Sequence, residues 1–77
     1  MTDAQIIAKL EKTRSSIDAH FARGGTYRAQ RAWELVRRYD DLKDAVCGDR
    51  GYTPAWIAYC DSFGACRSHS GTDLLRA

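Results

Sequence analysis

No apolar run in the 77-residue sequence approaches the roughly 20 residues that a membrane-spanning helix requires. Proline occurs once, and there is no Pro/Gly/Ser linker or low-complexity tract, which speaks against a disordered or collagen-like chain. Charge of one sign is also scarce. Twelve basic residues against 10 acidic ones give a formal net charge of +2, far from the basic excess of a dedicated nucleic-acid binder. The first residues carry neither the basic stretch nor the apolar core of an export signal, so a cytoplasmic location is expected. Three cysteines cannot all pair within one chain, and in a reducing cytoplasm they remain thiols. The length suits one small domain over residues 1–77, with no room for a second.

What is present is helical patterning. Thr2 and Gln5 have the spacing of a capping box. Ile6, Ile7, Leu10, Ile17 and Phe21 recur at helical intervals, interrupted near the middle of the stripe by Arg14. Gly24-Gly25 should stop this helix. Thr26 is the expected cap of a second helix, on which Ala32, Leu35, Val36, Tyr39, Leu42 and Val46 fall along one stripe. So short a break predicts antiparallel neighbours, pairing Ile7 with Leu42, Leu10 with Tyr39 and Ile17 with Ala32. Thr53-Pro54 is a helix start, followed by Trp56, Cys60 and Phe63 on one face. The expected fold is all-α: a hairpin of helices at about 3–23 and 27–47, with a short third helix at about 54–63 packed on it. The tail from about residue 67 reads as loose.

Charges on the second helix oppose its dipole, with Arg28 and Arg31 near the start and Asp40, Asp41 and Asp44 near the end. The hairpin register places Lys9 and Lys12 near the aspartates and Asp18 near the arginines, as compensation. Glu34 stands four residues before Arg38, the favourable orientation for a local pair. Nine of the 12 cations are Arg, which pairs and stacks better than Lys at interfaces. Trp33 lies about 120° from the core stripe at 100° per residue, and is expected to form a shelf on which helix three docks. The competing reading leaves it open as an interface.

Catalytic equipment is not apparent. Cys66 and His69 are a conceivable nucleophile and base, yet no motif supplies an orienting group or an oxyanion hole. Gly24-Gly25 lacks the spacing and Lys of a phosphate loop. The leading expectation is therefore a non-enzymatic protein-binding module without cofactor: an adaptor, regulator or stoichiometric inhibitor of the kind bacterial or phage genomes encode. Its contact residues would be Tyr27, Trp33, Arg37 and Arg38, with Arg28 and Arg31 secondary, because Trp, Tyr and Arg dominate interface hot spots. A homodimer is a further way to cover an apolar face.

The alternative uses the last third of the chain. Cys47, Cys60, Cys66 and His69 offer three thiolates and one imidazole, a legitimate structural zinc set. Residues 60–69 also resemble CCCH-type RNA-binding zinc fingers, with five residues between two cysteines and an aromatic-Gly pair among them. The last gap is two residues where that family has three, and the aromatic-Gly pair is shifted by one. The resemblance implies zinc binding, with Tyr59, Phe63 and Arg67 contacting single-stranded bases.

Overall fold

The computed structural model describes residues 1–75. Three helices, α1 (Asp3–Ala22), α2 (Gln30–Cys47) and α3 (Pro54–Asp61), are joined by a 3-10 turn at Gly48–Arg50 and followed by another at Gly71–Leu74. No strand occurs among the described residues, and no helix there is long and apolar enough to cross a membrane. The fold is all-α, as the patterning predicts.

The capping box forms at α1: Gln5 donates its backbone N–H to the Thr2 hydroxyl, and the Gln5 side chain accepts the Thr2 N–H. At the other end, Gly24 takes φ +88°, and the amides of Gly24 and Gly25 close back onto the carbonyls of Phe21 and His20. This is a Schellman motif, which satisfies terminal carbonyls that would otherwise lack partners. The His20 ring folds over Gly25 and donates through Nε2 to the Thr26 carbonyl at 3.0 Å. A Cβ at Gly25 would collide with that ring and lie 2.6 Å from the His20 carbonyl oxygen. Gly25→Ala should therefore cost about 2 kcal/mol, as overpacking does, and lower the melting temperature by roughly 10 °C. A melting curve within about 2 °C of the parent would show that the loop relaxes freely.

Thr26 does not cap α2. His20 holds its carbonyl, residues 26–29 form a turn closed by Ala29 N–H to Thr26 O, and α2 begins at Gln30 with no side-chain cap. Thr53 does cap α3, receiving the Trp56 amide. That helix stops at Asp61, two residues short of expectation. The Ser62 hydroxyl takes the Tyr59 carbonyl at 2.6 Å, and Gly64 and Ala65 repeat the Schellman pattern onto Asp61 and Cys60.

Arg50, beyond α2, approaches Asp3 at the start of α1 (3.5 Å), so the two long helices run antiparallel. Leu10 and Tyr39 are buried in one cluster with Ile6, Val46, Trp56, Tyr59 and Cys60, and Ile7 and Leu42 pack at its edge. Ile17 and Ala32 are buried nearer the hairpin turn. This burial agrees with the anticipated register, but Lys9 and Lys12 do not compensate the α2 aspartates as expected. Among the described residues, neither Lys9 nor Lys12 reaches an α2 aspartate within ion-pair distance. Arg50 instead donates to the Val46 carbonyl at 2.5 Å, placing a cation at the negative end of α2.

Candidate functional site

The centre of the molecule is an aromatic lock built around His69. Its ring is 6% exposed, stacks on Trp56 (centroids 5.0 Å apart, 17° between planes) and meets the edge of Phe63. Nδ1 lies 2.6 Å from the Cys66 carbonyl, and Nε2 lies 2.6 Å from the Tyr39 hydroxyl. A carbonyl only accepts, so Nδ1 carries the hydrogen and Nε2 accepts the Tyr39 O–H. The Tyr39 oxygen then accepts from Tyr59 at 2.9 Å. Burial, followed by the hydrogen bond between the two phenols, raises Tyr39 far above its ordinary pKa, and burial raises Tyr59 as well.

The segment from residue 67, expected to be loose, is held down by this lock. Trp56 Nε1 donates to the Arg67 carbonyl at 2.8 Å, Lys43 donates to the His69 carbonyl at 2.7 Å, and Gly71 N–H reaches the Asp40 carboxylate at 2.6 Å. Gly71 must be glycine for so close an approach, since a Cβ would sit 2.8 Å from the Val36 carbonyl. Arg14, the break in the α1 stripe, spreads its guanidinium 3.6 Å above the Phe63 ring. Its Nη1 is buried without a hydrogen-bond partner, leaving the ring face to offset the lost hydration.

The zinc set does not assemble. Cys60 Sγ is 3.8 Å from His69 Nδ1, whose hydrogen is committed to a carbonyl, and Cys60 is buried within the core. Burial pushes the Cys60 thiol up, whereas exposed Cys66, hydrogen-bonded to the Ser68 hydroxyl at 3.1 Å, is lowered. Cys47 is buried at the end of α2. Among the described residues no group of three His, Cys, Asp or Glu side chains is placed to hold a metal ion. Tyr59 is buried and Phe63 lies beneath Arg14, so neither is presented for base stacking as the zinc-finger resemblance implies.

The predicted contact residues lie on the outside. Trp33 is 47% exposed, so it is no shelf for α3, which docks through Trp56 into the lock. Trp33 instead lines an open groove of about 510 Å3 whose walls include Gln30, Val36, Arg37 and Thr72. Thr72 belongs to the segment that His69 fastens, so the lock shapes one wall of the groove. Arg37 and Arg38 are exposed without an ion pair among the described residues. Arg28 and Arg31 are locally occupied. Arg28 donates to the Tyr27 hydroxyl and approaches its ring, and Arg31 lies 3.7 Å from Glu34, which thus turns toward Arg31 rather than Arg38.

No family model, curated protein or solved structure matches this chain.

Proposed function

We propose that this chain is a non-catalytic protein-binding module that engages its partner through the outer face of α2, acting as an adaptor, regulator or inhibitor. The observation that carries this reading is Trp33, a large aromatic left half in solvent on a rigid helix beside an open groove. Tyr39, Trp56, Tyr59 and Phe63 find ring partners in the lock, whereas Trp33 keeps a large apolar area whose burial would be favourable. Apolar area removed from water contributes roughly 25 cal/mol per Å2, and buried Trp and Arg commonly dominate such contacts. Three free cysteines, two of them buried, support a reducing compartment such as the cytoplasm.

Photo-crosslinking tests the reading. A benzophenone side chain at Gln30, on the groove wall, should give one discrete adduct in cells of the source organism. Trp33→Ala with Arg37→Ala should remove it, corresponding to an affinity loss of about 30-fold or more. Both side chains are exposed, so circular dichroism should be unchanged. An adduct undiminished in the folded double variant would exclude this face. An adduct of exactly twice the chain mass would identify the partner as a second copy.

A further inference from the structure

The Trp33 groove continues past Arg37. A depression of about 330 Å3 runs along Glu34, Arg37, Arg38, Asp41 and Leu42. Arg38 and Leu42 in turn form one side of a cleft of about 340 Å3, closed on the α1 side by Lys9, Lys12, Thr13 and Ser16. Shared wall residues set these depressions side by side, as a tract across α2 and onto α1. From residue 33 to residue 42 it spans about 14 Å at 1.5 Å per helical residue, the reach of roughly four or five extended residues.

Charge is distributed unevenly along this tract. At the Trp33 end Glu34 faces Arg31 and Gln30, and Asp40 accepts the Gly71 amide. Asp41 is the one carboxylate on these walls without such a partner among the described residues. Toward α1 the walls carry Lys9, Lys12, Arg37 and Arg38, none in an ion pair among the described residues. The Thr13 and Ser16 hydroxyls donate to the carbonyls of Lys9 and Lys12 on their own helix, leaving the cations as the outward-facing donors. Hairpin register alone would set Lys9 and Lys12 against the α2 aspartates. Free of those, they face an open cleft.

We propose that the tract seats an acidic protein segment, with an apolar anchor over Trp33 and carboxylates against Lys9, Lys12 and Arg38. The inference rests on the protein-binding reading and specifies the partner's chemistry. A nucleic-acid backbone fits less well, because evenly spaced phosphates following the whole tract would pass Asp40 at its Trp33 end and Glu34 and Asp41 as far as its middle. An acidic cluster beside an apolar anchor matches the two ends separately.

The probe is a peptide of about ten residues, a leucine pair followed by glutamates, titrated into isotope-labelled protein and followed by amide chemical shifts. Its glutamine counterpart should bind at least about tenfold more weakly, as should Lys9→Glu with Lys12→Glu against the glutamate peptide. Arg67→Glu, an exposed charge reversal elsewhere, should change affinity less than about twofold. Affinity equal for both peptides, insensitivity to the lysine reversals, or no saturation at millimolar peptide would each overturn the proposal. So would a single-stranded oligonucleotide of similar length that binds more tightly than the glutamate peptide, which would point to nucleic acid. The crosslink from Gln30 separates the two levels. An adduct that survives the lysine reversals overturns the acidic segment and leaves protein binding standing, whereas no adduct from the parent chain overturns protein binding itself.

Discussion

Replacing His69 with alanine is expected to lower stability by about 3 kcal/mol and to release residues 67–75 from the helices. The change removes two hydrogen bonds, each worth about 1 kcal/mol net, and opens a cavity against Trp56. It also leaves the Tyr39 hydroxyl buried without its acceptor. A domain of this length typically has only about 4–11 kcal/mol in total, so the loss is a large share. Denaturant midpoints measure it, and hydrogen exchange locates it. The amide of Gly71, bonded to Asp40, should lose protection before the α1 and α2 interior. His69→Phe separates the two contributions by restoring a ring against Trp56 without either nitrogen, and should recover part of the loss. A midpoint unchanged in His69→Ala would mean that the segment is held by Trp56, Lys43 and Asp40 alone.

That result bears on the binding face. Thr72 forms part of the Trp33 groove and belongs to the segment that His69 fastens. A chain without the lock keeps Trp33 and Arg37 on α2 but loses that wall. On the proposed reading, binding through this groove would therefore weaken when His69 is lost, although His69 itself is buried away from the groove.

Most local signals in the sequence hold where the structure itself is local; the Thr26 cap is the exception, because α2 starts only at Gln30 with no side-chain cap. The Thr2/Gln5 box, the Thr53-Pro54 start and the glycine stop at residues 24–25 depend on neighbours within a few positions, and each formed. The α1 and α2 stripes fixed the hairpin register for the same reason. Arg14 was the visible irregularity. It interrupts the stripe between Leu10 and Ile17, and the structure shows why it is tolerated there: the Phe63 ring receives its guanidinium. His69 gave no such signal. It lies in a polar run, Arg67-Ser68-His69-Ser70, and its burial arises from Tyr39, thirty residues away, and from the Trp56 face. Periodicity cannot report a residue whose environment comes entirely from distant elements. The same limit explains Lys9 and Lys12: the register put them beside α2, but only side-chain directions show that they open onto a cleft with Arg38 rather than pairing with the aspartates.

Alkaline unfolding should be steep and should originate in the Tyr39–Tyr59 pair. In the unfolded chain both phenols ionise near pH 10, whereas burial keeps both neutral to higher pH in the fold. The unfolded state thus sheds its protons first, and unfolding releases protons. The stabilisation is fully present below about pH 10 and declines as pH rises above it, by at most roughly 1.4 kcal/mol per pH unit for each phenol. Cys60, whose pKa burial also raises, starts the decline somewhat earlier. Between pH 9 and 11 Tyr39, neutral throughout that range in the fold, should account for a loss of about 1.4 kcal/mol, to which Tyr59 adds. Tyr39→Phe is expected to start from lower stability at neutral pH, since His69 Nε2 loses its donor and Tyr59 its acceptor. Its dependence between pH 9 and 11 should nevertheless be clearly shallower, because the Tyr39 proton is no longer in play. Denaturant midpoints across that range decide the matter. A parent slope near zero, or a Tyr39→Phe slope equal to the parent's, would mean that water reaches these phenols and that the lock is open on the timescale of the measurement.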